Sequence, residues 1–242
     1  VSRFVYGVNP VLEALRAHPQ DVLRVLVERK RSQGAERVAQ AAVAAGVRVE
    51  EAGDLDRRAR GGVHQGVGAE LAEFRYLELP DLLDTIKGAA FLLVLDGVTD
   101  PQNLGALVRS AHALGAHGVV VPKDRAAGVT PSVTKAAAGA LEHCPIVRVT
   151  NLSRAVDQMK ENGIWTVALA ADGEKTLGEV DLKEPTALVL GSEGSGVRPL
   201  VRKTCDHVAR IPMGGQLGSL NVSAAGAISL YEVARQRASS SA

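Results

Sequence analysis

The segment Phe91-Leu92-Leu93-Val94-Leu95 constrains the fold more than any other stretch of this chain. A strand that is apolar at every position has both faces buried, as in parallel sheets covered by helices on each side. The residues that follow repeat this pattern. Leu104, Leu107, Val108, Ala111 and Leu114 share one side of a helix that Asn103 can cap and Gly115 can end. Val119–Val121, Ile146–Val149, Ile164–Leu169, Ala187–Leu190 and Val208–Ile211 read as further strands. Between them Thr130-Pro131 opens one helix, Thr150 or Asn151 opens another with Leu152, Ala155, Val156 and Met159 inward, and a long helix runs from about Asn221 to Arg237. The expected fold class is α/β, a parallel sheet with helices on both faces.

A smaller α/β unit precedes this series. Residues 22–27 form a strand, 33–45 an Ala-rich amphipathic helix stopped by Gly46, 47–50 a short strand, 54–60 a short helix and 67–72 a strand. Pro80 and polar punctuation place a linker with a short helix between the two units. The expected organisation is 1–74 as a small N-terminal domain, 75–88 as linker and 89–242 as the main domain. The tail from Ala238 to Ala242 has the composition of a disordered end.

Composition excludes several classes. Only 3% of residues are aromatic, so aliphatic side chains build the core. No apolar run has the length of a membrane span, and Val1 to Tyr6 lack the apolar centre of a signal peptide. Cys144 and Cys205 are far apart and read as buried thiols of a reduced, cytoplasmic protein, with too few soft ligands for a metal site. A net charge of +1 argues against indiscriminate coating of nucleic acid but leaves room for local basic patches. Arg29-Lys30-Arg31 at a strand end is one candidate, and Arg57-Arg58 with Arg60 another; each reads equally as a solvated face. His64 reads as a turn residue or an RNA contact, whereas His112, His117, His143 and His207 show no ligand spacing.

Three polar loops follow strand ends, an arrangement that builds small-molecule sites in α/β domains. The first is Asp96 to Gly105, continuing to Arg109-Ser110; Gly105 and Arg109 share a helix face, and glycine leaves space beside a guanidinium suited to phosphate or a developing oxyanion. The second, Gly191-Ser192-Glu193-Gly194-Ser195-Gly196, has neither the G-x-G-x-x-G spacing of dinucleotide sites nor a Walker ending. The third runs from Ile211-Pro212-Met213 through a Gly-rich loop to Ser219-Leu220-Asn221-Val222-Ser223. Taken singly, Arg109 reads as a surface arginine and Asn103 and Asn221 as caps.

Together and in this order the three loops resemble the signature motifs of the SpoU-type RNA 2'-O-ribose methyltransferases of the knotted SPOUT class. Tyr6-Gly7-Val8-Asn9-Pro10-Val11, Val63-His64-Gln65-Gly66-Val67, Val121-Pro122-Lys123-Asp124-Arg125 and Ile146 to Leu152 extend the resemblance to the bacterial guanosine 2'-O-methyltransferases of 23S ribosomal RNA. Gly218 departs from the pattern, in which a second serine is common. The resemblance implies a C-terminal trefoil knot and an N-terminal RNA-binding domain like a ribosomal protein fold. It implies S-adenosylmethionine as methyl donor, touched by Leu190, Gly191, Ile211, Met213 and Leu220. The reaction site would comprise Asn103, Arg109, Glu193, Ser219 and Asn221, with Arg29, Lys30, Arg31 and His64 on the RNA and a homodimer formed through the C-terminal domain. A tRNA substrate keeps the same chemistry. A non-catalytic RNA-binding or assembly factor is a different class, against which the five reaction-site residues argue.

Overall fold

A computed structural model describes residues 2–215 and 218–239. Gln216 and Leu217 of the third loop and residues 240–242 of the tail lie outside the described residues. In chain order the elements are β1 (Arg3–Tyr6), α1 (Val8–Ala17), β2 (Val22–Val27), α2 (Gln33–Ala44), β3 (Val49–Glu51), α3 (Leu55–Arg58) and β4 (Val67–Leu71). They continue as α4 (Leu79–Thr85), β5 (Phe91–Asp96), α5 (Pro101–Ala113), β6 (Gly118–Pro122), α6 (Pro131–Ala137), β7 (Ile146–Val149) and α7 (Leu152–Glu161). The last are β8 (Trp165–Leu169), β9 (Lys175–Thr176), β10 (Thr186–Gly191), α8 (Pro199–Thr204), β11 (His207–Arg210) and α9 (Val222–Ala238).

The chain divides into two compact units, one of Val1–Arg75 with Gly128–His143 and one of Tyr76–Ala127 with Cys144–Ala242. The segment carrying α6, which lies inside the sequence range expected for the main domain, groups with the first unit. Arg3 reaches Glu142 of that segment through two hydrogen bonds of 3.0 and 3.1 Å, with both side chains largely buried.

The first unit holds a four-stranded sheet in the order β1-β4-β2-β3, with β4 antiparallel to β1 and β2 and β3 parallel to β2. Val11, Leu15, Val25, Val27, Val38, Val67 and Leu71 form its core. β1 and α1 are additions to the expected elements. β1 is only four residues long, and α1 starts without a side-chain cap, after Gly7 at a φ of 98°. α1 lacks the capping signal by which helix starts are read.

The second unit holds a seven-stranded sheet in the order β7-β6-β5-β10-β8-β11-β9, with every pair parallel. All six residues of β5 are buried. Alternate side chains serve opposite faces. Leu92 and Val94 join α4 and α7 through Leu79, Leu82, Leu152, Val156 and Met159. On the other face α5 and α9 pack against each other, and Gly226 of α9 lies against Leu107 of α5 and Leu190 of β10. Burying each such Leu or Val contributes about 1.5–3 kcal/mol relative to exposure. β10 is inserted between β5 and β8, and the chain returns from β11 to α9 against β10. This order is compatible with the expected knot.

Candidate active site

The C-terminal ends of β8, β10 and β11 open onto a cavity of about 600 Å³. Open α/β sheets bind ligands at this edge because the loops leaving the strands converge there. Leu169–Ala171 form one wall. Leu190 to Gly194 with Gly196 form the second, and Ile211, Met213 and Gly218 to Val222 with Ala225 the third. The five expected donor contacts, Leu190, Gly191, Ile211, Met213 and Leu220, all line this space, and Glu193, Ser219 and Asn221 of the expected reaction site line it as well. Sequence reasoning passed over the wall after β8, whose Ala170 and Ala171 carry no polar group to mark them.

Gly191 is fixed by close approach. A Cβ there would coincide with the backbone of Gly196 and Val197. The turn is further held by Ser192 N donating to Gly196 O at 3.2 Å and Gly196 N donating to Ser192 O at 3.0 Å. Met213 and Leu220 are both about two-fifths exposed at the cavity, 39% and 40%. Large apolar side chains left at the mouth of a cavity suit a ligand with an apolar surface. Glu193 is the one charged residue among the described lining residues. Gly218 is exposed, and among the described residues nothing lies within 4 Å of where a Cβ would stand.

Three side chains from segments far apart in the sequence meet at this site. Asn103 Nδ2 donates to Glu193 Oε1 at 3.0 Å. Asn221 Nδ2 donates to the same oxygen at 2.5 Å and to Asn103 Oδ1 at 3.1 Å. Asn221 also caps α9, its Oδ1 accepting from Ser223 N at 2.9 Å and Ala224 N at 3.4 Å. The cap and the site are therefore two ends of one carboxamide. Asn103, by contrast, is not the cap of α5. Asp100 holds that place, accepting from Gln102 N at 3.1 Å and Asn103 N at 3.3 Å. With Asp100 capping, the buried Asn103 side chain is available to Glu193.

Arg109 stands apart. It is exposed on α5, it is not among the cavity-lining residues, and it forms no ion pair among the described residues. Asp96 and Arg198 form a coupling that sequence reasoning did not reach. The buried Asp96 carboxylate at the end of β5 accepts from Arg198 N at 2.8 Å and from Arg198 Nε at 2.6 Å. An acid closing an otherwise apolar strand was the available signal.

In the first unit, Arg29 and Lys30 are exposed after β2, and Arg31 pairs with Glu36 at 3.3 Å. His64 is mostly covered. Its Nδ1 accepts from Gly66 N at 3.0 Å and its Nε2 meets Asp56 Oδ1 at 3.0 Å. Arg57 and Arg58 bind Asp54, and Arg58 also binds Glu70, so two of the three arginines of this second cluster are paired, while Arg60 is exposed.

Comparison with known proteins agrees with this geometry. The sequence profile of the SpoU rRNA methylase family matches residues 90–231, and that of the RNA 2'-O ribose methyltransferase substrate-binding domain matches residues 4–77. The chain is 45% identical over 240 residues to the 23S rRNA (guanosine-2'-O-)-methyltransferase RlmB of Pseudomonas aeruginosa, covering 96% of each. It is 51% identical over 177 residues to an uncharacterised tRNA/rRNA methyltransferase of Synechocystis; the match takes in 72% of this chain and 46% of that longer protein. The crystal structure of the SpoU methyltransferase AviRb from Streptomyces viridochromogenes, in complex with AdoMet, superposes with a TM-score of 0.84 at 29% identity, covering 98% of this chain and 91% of that one. On the profile, the near-full-length identity and the shared fold, the chain belongs to the SpoU rRNA methylase family.

Proposed function

We propose that the protein transfers the methyl group of S-adenosylmethionine to the ribose 2'-hydroxyl of a guanosine in 23S ribosomal RNA. The observation that carries this reading is the meeting of Asn103, Glu193 and Asn221 beside a cavity with apolar walls and backbone-rich loops. The residues present suit the donor. The cavity lies in the usual size range of small-molecule sites, roughly 300–1,000 Å³. Leu190, Met213 and Leu220 offer apolar contact to a flat purine, and Gly191 lets backbone approach without a Cβ. The donor, when bound, supplies an already activated methyl group, so the protein's task is to position and deprotonate the ribose hydroxyl.

In this reading Asn103 and Asn221 fix Glu193, and Ser219 offers a hydroxyl at the cavity. Arg109 stabilises the developing alkoxide or grips the adjacent phosphate. A guanidinium stays protonated at neutral pH and does not serve as a base there, so water or phosphate takes the proton. The pH–rate profile of Arg109→Lys tests the assignment: near-normal chemistry with a new alkaline pKa would instead make arginine the base.

We further propose a homodimer through the second unit. Ala224, Ile228 and Tyr231 form an exposed stripe on α9 at helical spacing, and α9 packs on α5, which carries the uncommitted Arg109. In such a dimer Arg109 reaches a reaction site that its own chain's cavity does not include. Arg29, Lys30, Arg31 and His64 contact RNA from the first unit, with residues 1–74 as the substrate-binding domain, 75–88 as linker and 89–242 as the catalytic domain. A reducing, cytoplasmic setting suits Cys144 and Cys205, both free and pushed up to about 12 by burial.

Methyl transfer from radiolabelled donor to unmodified 23S RNA, 16S RNA and bulk tRNA, followed by nucleoside analysis, tests the whole. Label in 2'-O-methylguanosine from 23S RNA alone is the expected result. Label in tRNA would overturn the substrate, and no label with no donor binding would overturn the activity.

A further inference from the structure

A second cavity of about 290 Å³ opens on the same edge of the seven-stranded sheet, over β6 and β7. Its walls include Asp124, Arg125, Asn151, Ser153, Arg198 and Leu200. Two features tie it to the first cavity. The loop after β10 lines the first with Ser192, Glu193 and Gly196 and continues into the second at Arg198. A Cβ on Gly97 would stand 3.6 Å from Ser192 Cβ and 3.9 Å from the Arg125 carbonyl oxygen, so the two walls abut across Gly97.

The chemistry of the second cavity is that of a nucleotide site. Arg198 is anchored through its Nε and backbone N–H to the buried Asp96, yet its side chain is half exposed, at 49%. Its Nη atoms take no hydrogen bond among the described residues and remain as donors for a phosphate. Arg125 is exposed and has no ion pair or side-chain hydrogen bond among the described residues. It sits at a φ of 57°, in the left-handed region that is uncommon for arginine. Leu200 leaves 66% of its surface exposed beside these cations, an apolar face for a base to lie against. Asp124 opposes a bare anion, but its carboxylate can accept from the amino or imino hydrogens of a base. Two cations, an apolar platform and one acceptor together match a nucleotide better than a free phosphate ion.

We propose that this second cavity holds a nucleotide flanking the methylated one in the RNA substrate, its phosphate on Arg125 and Arg198. This rests on the RNA methyltransferase reading above, and it adds a contact that sets the path of the strand across the sheet edge. Phosphate contacts of this kind fix register and orientation on the enzyme.

The test compares wild type, Arg125→Ala and Arg125→Lys. It measures methyl-transfer kinetics on unmodified 23S RNA and, separately, RNA affinity as a function of salt. Arg125 touches neither the first cavity nor the core, so all three proteins keep donor affinity. For Arg125→Ala the expected result is a KM for RNA raised about 10-fold, the size of one charge-assisted contact, with kcat unchanged. The slope of log affinity against log salt falls by about 0.7, the value for one phosphate on a single strand. Arg125→Lys restores the slope while leaving KM between the two. Unchanged KM and slope in Arg125→Ala, with an active wild type, would overturn the nucleotide site and leave the methyltransferase reading standing. A wild type that binds RNA but transfers no methyl group would overturn the activity, and the salt slopes would still decide the cavity. A wild type that neither binds nor modifies RNA would overturn both.

Discussion

The two units handle polar groups in opposite ways. In the first, apart from the exposed Arg29 and Lys30 after β2, the conspicuous charges are paired to one another. Arg24 binds Glu50 and Glu70 at 2.8 Å each, Arg58 binds Asp54 and Glu70, and Arg3 binds the buried Glu142. These groups hold strands and turns together and have little capacity left for a ligand. In the second unit the polar groups converge at one sheet edge, and several remain uncommitted. Asn103, Glu193 and Asn221 bind each other beside the larger cavity, while Arg109 and Arg125 stand exposed without ion pairs among the described residues. A charge already matched within the chain stabilises the fold; a charge left exposed and unpaired is available to substrate.

The sharpest test of this contrast is Asn103→Ala. The contrast requires methyl transfer to fall about 100-fold, the cost of removing one preorganised hydrogen-bond donor from a reaction site, with thermal unfolding little changed. A large loss of stability instead would move Asn103 into the structural class. Gly191→Ala comes next. Overlap with the Gly196 and Val197 backbone should cost about 1–3 kcal/mol in denaturant unfolding and weaken donor binding measured calorimetrically. If Gly191→Ala binds donor normally, the loop is softer than its packing indicates.

Asn221→Ser separates the two ends of one side chain. A serine hydroxyl can replace the cap, so stability should change by less than about 0.5 kcal/mol. The bonds to Glu193 and Asn103 are lost, so kcat should fall. Glu70→Gln probes the first unit from the other side. It weakens contacts to both Arg24 and Arg58 and should destabilise by about 1 kcal/mol, while kcat on saturating RNA stays the same.

The smallest effect is that of pH. The Arg24 hydrogen bond holds the Glu70 carboxyl below its ordinary value of 4.5, burial opposes the shift, and Arg58 lowers it further. Asp54 is lowered from 3.8, first by Arg57 and then by Arg58. A carboxylate whose native pKa is depressed contributes stability that is whole above its unfolded value and lost as pH falls through the native one. The first unit should therefore lose stability below about pH 4.5, with the loss reduced in Glu70→Gln, as followed by acid titration of circular dichroism. Equal acid sensitivity in the wild type and in Glu70→Gln would remove the network from the account.

Much of the second unit was legible in the sequence because its signals are local. A short all-apolar run bounded by polar residues reads as a doubly covered strand, and β5 is buried from Phe91 to Asp96. Thr130 and Asn151 cap α6 and α7 as their side chains allow. The positions expected to touch a methyl donor came from motif resemblance, and each of the five borders the cavity. Reading Asn103 as a cap failed because Asp100 competes for the same amides, and two acceptors three residues apart cannot be ranked from sequence alone.

The sequence by itself determined the element types, the parallel sheet and the family, since these follow from apolar periodicity and contiguous motifs. The tertiary structure decided what depends on residues far apart in the chain. It placed β10 between β5 and β8, grouped the segment around α6 with the first unit, joined Asp96 to Arg198 across 102 positions and left Arg109 outside its own chain's cavity. Periodicity specifies which face of an element is apolar; only packing against other elements selects the partner that face meets.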